Sequence, residues 1–417
     1  MKKIKQFIQQ REFLKFFLMF FSGTLFAQII TMALSPVLTR LYTPEEFGVS
    51  GVYLAIVSLL IVFATGRYEY AINTTEDEVN AVSVYRIVKH LCVFISGFVF
   101  VIIVLFAPVI KELLGFMFSH KLLYFIPITL LLMGLLQGSA YFLNRKKDFQ
   151  TLSKSKIIQS IGNGSMAVTA GLLNFGVIGI ILGNIVGIMS SYVYQKTKNT
   201  KLKMYKFDKE KMKENLIKYK QYPLYNAPSA FFDNLAIQAP IFILLRFFTE
   251  ATVGFYSLTT RVIGMPLGLI SASISQVFLS QISELHRNNK SYKAVVLKVA
   301  KYLALLGLIP LIIIGIFGPK LFSVVFGSEW KVAGEYARIL SIGYFFKFVI
   351  SPLSVIFFIN QRVKLLSIIQ TSRAISTVLM LLIVSMHFEL VTVLIAYTIH
   401  EAFFYIIYFY FILKTSK

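Results

Sequence analysis

Residues 87–109 read IVKHLCVFISGFVFVIIVLFAPV, and no charged residue follows His90 in this run. A helix needs about 20 mostly apolar residues to cross the hydrocarbon core of a bilayer. Similar runs recur along the chain, so the sequence predicts an all-α membrane protein with about twelve transmembrane helices. The predicted spans are 16–38, 47–66, 87–109, 121–143, 157–174, 176–195, 222–246, 251–281, 297–318, 336–358, 365–386 and 391–413.

The composition agrees with a chain that lies mostly in lipid. Of its 417 residues, 57% are hydrophobic and only 15% are charged, whereas a soluble protein carries roughly 25% charged residues. A single cysteine, Cys92, excludes an intrachain disulfide, and we interpret it as a small core or lipid-facing residue. The net charge of +23 does not indicate nucleic-acid binding, because the Lys and Arg residues lie in short loops between the apolar runs.

The placement of the 42 Lys and Arg residues also predicts the orientation. Cytoplasmic loops of membrane proteins are enriched in these residues. If the N-terminus lies inside, most of them fall on the cytoplasmic side, including the lysine-rich segment 196–220. We therefore expect both termini in the cytoplasm. We interpret Met1–Lys15 and the run after it as a retained anchor rather than a cleaved signal peptide.

Short matches between the two halves indicate an internal repeat. Residues 38–43 (LTRLYT), followed by Gly48, resemble residues 244–249 (LLRFFT), followed by Gly254. Two further matches keep the same order: 106–108 (FAP) with 317–319 (FGP), and 141–145 (YFLNR) with 357–361 (FFINQ). The alternative is chance similarity in a biased sequence. The repeat predicts two pseudo-symmetric six-helix lobes, 1–195 and 221–417, joined by a basic cytoplasmic linker, 196–220, with a cavity between the lobes.

Three cations fall inside predicted spans: Arg261, Lys347 and Arg373. An ionised side chain at mid-bilayer costs at least about 2.5–3.5 kcal/mol, so such residues usually face a protein interior or a water-filled cavity. Arg suits phosphate because its planar fork donates paired hydrogen bonds, and Lys supplies a mobile point charge. We therefore predict a cavity that binds an anion. For Lys347 and Arg373 the alternative is that the side chain snorkels to the interface.

Other ionisable residues in or near the spans are candidates for coupling or gating. Asp233 belongs to the predicted substrate-binding set, although it could instead pair with a deep cation, bind a coupling ion or carry a proton. The candidates for gating or coupling are Arg67, Glu69, Asn234, His400 and Glu401. Arg67 and Glu69 could also be a satisfied interfacial pair. We find no phosphate loop, zinc-protease motif or nucleophile elbow, so we predict a transporter rather than an enzyme, without a metal or cofactor.

Three segments resemble the Wzx-type oligosaccharide flippases of the multidrug/oligosaccharidyl-lipid/polysaccharide exporter superfamily. They are residues 38–48 (LTRLYTPEEFG), residues 254–258 (GFYSL) continuing through Arg261 to Pro266 and 275–278 (SQVF), and residues 321–330 (LFSVVFGSEW) followed by Ala333-Gly334. The resemblance covers nearly the whole chain. It implies two six-helix lobes that form a V-shaped cavity, and it places Arg261 and Asp233 on helices that line that cavity.

The resemblance also implies a function. The substrate would be an undecaprenyl-diphosphate-linked oligosaccharide, moved from the cytoplasmic to the periplasmic leaflet of the bacterial inner membrane by alternating access. Such units serve O-antigen, lipopolysaccharide or capsule assembly, with a polysaccharide polymerase and a chain-length regulator as further partners. Coupling to a proton, a sodium ion or the membrane potential is plausible for the family. The alternatives are a multidrug exporter of the same superfamily and a membrane glycan polymerase.

Overall fold

The computed structural model describes residues 2–114, 120–199, 208–288, 291–360 and 362–416, with only the backbone for 2–21. This part of the chain contains sixteen α-helices and no strand. The helices are α1 (Lys2–Leu41), α2 (Pro44–Thr65), α3 (Glu69–Thr74), α4 (Glu78–Leu114), α5 (His120–Leu123), α6 (Phe125–Arg145), α7 (Phe149–Leu172), α8 (Val177–Lys198), α9 (Lys209–Lys218), α10 (Ala227–Phe247), α11 (Glu250–Arg287), α12 (Lys293–Phe326), α13 (Lys331–Ile350), α14 (Ile356–Ile359), α15 (Val363–His387) and α16 (Leu390–Thr415).

Every predicted span coincides with helical structure, which confirms the all-α membrane fold. Among the described residues, eleven helical segments are long and apolar enough to cross a membrane. The remaining predicted span, 157–174, lies in α7, which has 24 residues and a length of about 36 Å but is more polar. Two polar side chains near the start of α7 bond to neighbouring helices: Lys156 donates to Thr24 of α1, and Ser155 accepts from Gln195 of α8.

The long helices extend past the predicted spans. The run 251–281 predicts a span, whereas α11 has 38 residues and begins directly after Thr249. The Thr249 side chain accepts the backbone N–H of Thr252 at 3.2 Å and so caps the helix. At the start of α2, Thr43 and Glu46 form a reciprocal capping box, with bonds of 2.9 and 3.3 Å. Apolar length therefore predicts the membrane crossing, and the caps determine where each helix begins.

The chain divides into two compact units, Met1–Tyr42 with Val52–Asn234, and Thr43–Gly51 with Leu235–Lys417. Part of the predicted linker, 200–207, lies outside the described residues. Helix α9, which follows it, packs on the first unit, where Asn215 donates to Asn80 at 2.9 Å. The division into lobes at 196–220 stays a prediction.

Within the second unit, the first turns of α2 and α11 pack against each other through two glycines. A Cβ atom added at Gly48 would lie 1.9 Å from the carbonyl oxygen of Glu250, and one added at Gly254 would lie 1.8 Å from that of Pro44. The repeat in the sequence aligns Gly48 with Gly254 and Pro44 with Glu250, so the contact is reciprocal. Such close approach of membrane helices requires small residues. We call this contact the glycine crossing.

Candidate functional site

The tenth predicted span is interrupted next to Lys347. Helix α13 ends at Ile350 and continues as a 3-10 turn, Ser351–Val355, that contains Pro352. Proline cannot donate the backbone hydrogen bond that a continuing α-helix needs, so the helix tightens and ends there. Lys347 lies in the last turn of α13, and its ammonium group lies 5.7 Å from the ring centroid of Tyr344. The break therefore places a cation beside irregular backbone within an apolar span.

A cavity of about 380 Å³ lies between α11 and this break. Its volume falls within the range of about 300–1,000 Å³ that small-molecule sites occupy. On the α11 side, the lining residues Gly264, Gly268, Ser271 and Ser275 are small and share one helical face. A Cβ atom added at Gly268 would meet nothing within 4 Å, so the space is open rather than packed. Among the residues that line this cavity, Lys347 is the charged one.

Arg261 lies on α11 one turn before Gly264, on the face that lines the cavity. Its side chain is half-buried. Across the described part of the chain, no residue forms a hydrogen bond or ion pair with its guanidinium group. A charge that is partly removed from water and has no partner is costly unless something compensates it, and a bound anion would do so.

Arg373 pairs with a carboxylate. Its Nε donates to Oε1 of Glu401 at 3.0 Å, and its Nη1 donates to the hydroxyl of Tyr405 at 3.4 Å. The Glu401 side chain is only 8% exposed, so the pair joins α15 to α16 in a largely buried position. Glu401 and Lys347 also line one small cavity of about 30 Å³, which is room for about one or two water molecules. Glu401 therefore pairs with Arg373, and Lys347 lines the same small cavity without an ion pair to Glu401.

His400 lies beside this pair without completing a proton path. Its Nε2 lies 2.9 Å from the hydroxyl of Ser376, and its Nδ1 lies 4.0 Å from Oε1 of Glu401. That separation exceeds hydrogen-bond distance. Nδ1 is buried and has no hydrogen-bond partner in the described part of the chain. The predicted coupling role of His400 and Glu401 stays a prediction.

Arg67 and Glu69 form a local arrangement after α2. Arg67 has a left-handed φ of 59°, and its Nη1 lies 3.8 Å from Oε1 of Glu69 and donates to the hydroxyl of Tyr70. Glu69 is fully buried and accepts from Nε2 of Gln137 at 3.1 Å. Burial raises the pKa of the Glu69 carboxyl, against a smaller opposing effect from Arg67. The geometry agrees with the interfacial pair, and the gating role stays a prediction.

Asp233 and Asn234 lie on α10 in the first unit. Asn234 donates to the backbone carbonyl of Ser58 on α2 at 3.3 Å, and Asp233 also has an interaction partner. Arg261, Lys347, Arg373, His400 and Glu401 lie in the second unit, and Arg67 and Glu69 lie in the first. The structure thus brings together Lys347, Arg373 and the His400–Glu401 pair.

The serines around the helix break were not predicted from the sequence. Ser351 and Ser354 line the cavity of about 380 Å³. They also line a second cavity, of about 200 Å³, together with Lys347 and Arg373. Two signals could have identified this region: Pro352 inside a predicted span, and the spacing of Gly and Ser residues after Arg261. Together they mark a place where irregular backbone faces open space.

Comparisons with known proteins identify a family and a fold for the chain. The family described as polysaccharide biosynthesis protein matches residues 37–335, well over half of the chain. The solved structure of the lipid II flippase MurJ, in an inward closed conformation, has a TM-score of 0.74 and 15% identity over 95% of this chain and 87% of that chain. The inward-facing conformation of a multidrug resistance MATE family transporter of the MOP superfamily has a TM-score of 0.70 and 14% identity, over 92% and 93%.

No curated protein matches the chain significantly. At these identities the solved structures show the fold alone, which is that of MOP-superfamily transporters. The family match covers all three segments quoted above for the resemblance. This multi-pass membrane protein with a MOP-superfamily fold belongs to the polysaccharide biosynthesis protein family.

Proposed function

We propose that the protein flips a lipid-linked oligosaccharide from the cytoplasmic to the periplasmic leaflet of the bacterial inner membrane by alternating access. The proposed substrate is an undecaprenyl-diphosphate-linked repeat unit for O-antigen, capsule or another surface polysaccharide. Family membership and the transporter fold support a role of this kind. The observation that carries the proposal is a cavity of about 380 Å³ whose charged lining residue is Lys347, with Arg261 one turn away on the same face of α11.

The chemistry of these groups suits a sugar diphosphate. The guanidinium of Arg261 can donate two parallel hydrogen bonds to a phosphate, and the ammonium of Lys347 can follow the anion as it moves. Ser271, Ser275 and Ser351 bring hydroxyl groups that can donate to and accept from sugars or phosphate oxygens. A polar headgroup in this cavity would meet compensating groups that the bilayer interior lacks.

The same charges disfavour the multidrug alternative. A cationic drug in the large cavity would face Lys347 as its charged neighbour, and like charges repel strongly where water is scarce. For a glycan polymerase, no catalytic constellation has been identified in the described cavities. We retain the flippase as the function that the site supports best.

Coupling and orientation belong to the proposal as well. Asp233 and Asn234 in the first unit, and the Arg373–Glu401–His400 group in the second, are the candidates for coupling to a proton, a sodium ion or the membrane potential. Both termini would lie in the cytoplasm. A polysaccharide polymerase and a chain-length regulator would act on the flipped product.

Matched substitutions in a deletion strain test the proposal. Lys347→Gln and Arg261→Gln should abolish rescue of surface glycan, with lipid-linked repeat units retained in the cytoplasmic leaflet and protein levels unchanged. Lys331→Gln and Arg338→Gln are the matched controls, because both residues are exposed on α13 and neither lines the cavities, and they should rescue fully. Full rescue by both cavity variants, or loss of drug resistance without loss of glycan, would contradict the proposal.

A further inference from the structure

An apolar groove lies in the second unit, between α11, α12 and α13. It has a volume of about 120 Å³, and its lining includes Pro266 of α11, Pro310 and Ile314 of α12, and Phe345 of α13. The polar side chain in the lining is Ser341, whose hydroxyl already donates to the backbone carbonyl of Arg338 at 2.9 Å. The groove therefore presents an apolar surface, and the hydroxyl of Ser341 in its lining already has a hydrogen-bond partner.

The groove and the Lys347 cavity share a wall. Leu267 of α11 and Phe348 of α13 line both spaces. On α11, Gly264 belongs to the cavity, whereas Pro266 belongs to the groove. A cationic, hydroxyl-rich space and an apolar space thus adjoin each other at these two side chains.

The groove also adjoins the lipid-facing surface of the unit. Several of its lining residues are half-buried rather than enclosed. Along α12, the neighbouring residues Ile309, Ile313 and Ile316 are 60%, 45% and 62% exposed. In a spanning helix these side chains contact acyl chains. An extended apolar chain can therefore enter the groove from the bilayer without crossing a polar surface.

We propose that this groove holds the first part of the polyprenyl tail of the substrate while the diphosphate lies at Lys347 in the adjoining cavity, with the chain passing between the two spaces beside Leu267 and Phe348. The inference rests on the proposed function and adds to it a site for the tail. The occupant follows from the two halves of the site, since a ligand with an anionic head and an apolar chain satisfies the cavity and the groove together. A free sugar or an inorganic anion would leave the groove unused.

The groove should position the tail rather than supply most of the affinity. Acyl chains of the bilayer are as apolar as the leucines of a groove, so moving a tail from lipid into the groove gains little hydrophobic free energy. Binding energy then comes mainly from the diphosphate, and the groove determines where the chain leaves the headgroup. Filling the groove should therefore impair flipping more than it impairs binding of the headgroup.

Photocrosslinking of the full-length protein in liposomes tests the tail site. Benzoylphenylalanine is placed at Ile314, in the groove, or at the adjacent and exposed Ile313 as the control. Liposomes contain phosphatidylglycerol with a small fraction of undecaprenyl diphosphate. Position 314 should label undecaprenyl diphosphate well above its share of the lipid, and position 313 should label both lipids in proportion. Lys347→Gln should reduce the enrichment at 314 by about ten-fold or more, as expected for loss of a charged hydrogen bond.

Proportional labelling at both positions would mean an ordinary annular lipid and would overturn the tail site. Ile314→Trp should block glycan rescue while Ile313→Trp rescues, and equal rescue by both would also overturn it. Failure of the two proposals can be told apart. If the Lys347 variant loses rescue but position 314 shows no enrichment, flipping stands and the tail site fails. Enrichment at 314 without glycan transport in the wild type would instead refute the flippase.

Discussion

Gly254→Ala should weaken the glycine crossing because the new methyl group would meet backbone. The added Cβ would lie 1.8 Å from the carbonyl oxygen of Pro44, whereas ordinary contact begins at 3.4 Å. The two helices must therefore separate by about 1.6 Å at this point, since a backbone atom cannot rotate away as a side chain can. Overpacking typically costs about 1–3 kcal/mol, and alanine recovers up to about 1 kcal/mol through its better helix propensity.

The net expectation is a loss of about 1–2 kcal/mol in the free energy of unfolding. Gly48→Ala should have nearly the same effect, because its Cβ would lie 1.9 Å from the equivalent oxygen of Glu250. The double variant should cost less than the sum of the two, since a crossing opened by the first methyl group already has room for the second.

Thermal unfolding in detergent measures the effect. Gly97→Ala on α4 and Gly315→Ala on α12 are the matched controls, because an added Cβ meets nothing within 4 Å at either position. The crossing variants should melt about 1–2 °C below wild type, and the controls should melt at or above it. If the Gly254→Ala and Gly97→Ala variants have the same melting temperature, the two helices are not in the close contact described, and the reasoning is wrong.

Three further outcomes follow from the polar contacts. Glu401→Gln should destabilise the protein by up to about 3–5 kcal/mol because it leaves Arg373 without its carboxylate, and an Arg373→Met/Glu401→Leu double variant should recover most of this loss in the same unfolding assay. Burial holds the pKa of Glu69 above its ordinary value of 4.5, so the folded protein binds this proton more tightly than the unfolded chain does. The free energy of unfolding should therefore fall as the pH rises from 4.5 through the raised pKa, and Glu69→Gln should remove that slope. Arg145 donates to three backbone carbonyls between α3 and α4, so Arg145→Gln should raise hydrogen exchange there while exchange in α16 stays unchanged.

The membrane fold was predictable because the length of an apolar run is a direct physical requirement of the bilayer. The run 157–174 illustrates the limit. Its helix α7 is more polar than the other predicted spans among the described residues, and Lys156, just before the run, donates to Thr24 of α1. The apolar pattern does not show such pairwise contacts between helices. The sequence therefore predicts where the helices form, but not which side chains of neighbouring helices they contact.

The candidate site was predictable in part for the same reason. The deep cations could be identified one by one, since each violates the cost of charge in lipid. Their partners could not, because the contact between Arg373 and Glu401 depends on how α15 packs against α16. The cavity at Lys347 depends on the helix break at Pro352, and a span count treats that segment as one continuous helix. Local pairs are different: Arg67 and Glu69 are two residues apart, and the sequence already indicated their contact.

The single carboxylate among the cations of the second unit has an electrical consequence. Glu401 pairs with Arg373, whereas neither Lys347 nor Arg261 forms an ion pair within the described part of the chain. A step that carried one such charge through the whole membrane field would change in energy by about 2.3 kcal/mol per 100 mV. In the proposed cycle, a bound diphosphate would offset the charges of these cations, so the loaded step would be nearly insensitive to voltage. The membrane potential would then act mainly on the step in which the empty protein returns to its starting conformation. The rate of the transport cycle would depend on voltage through that step.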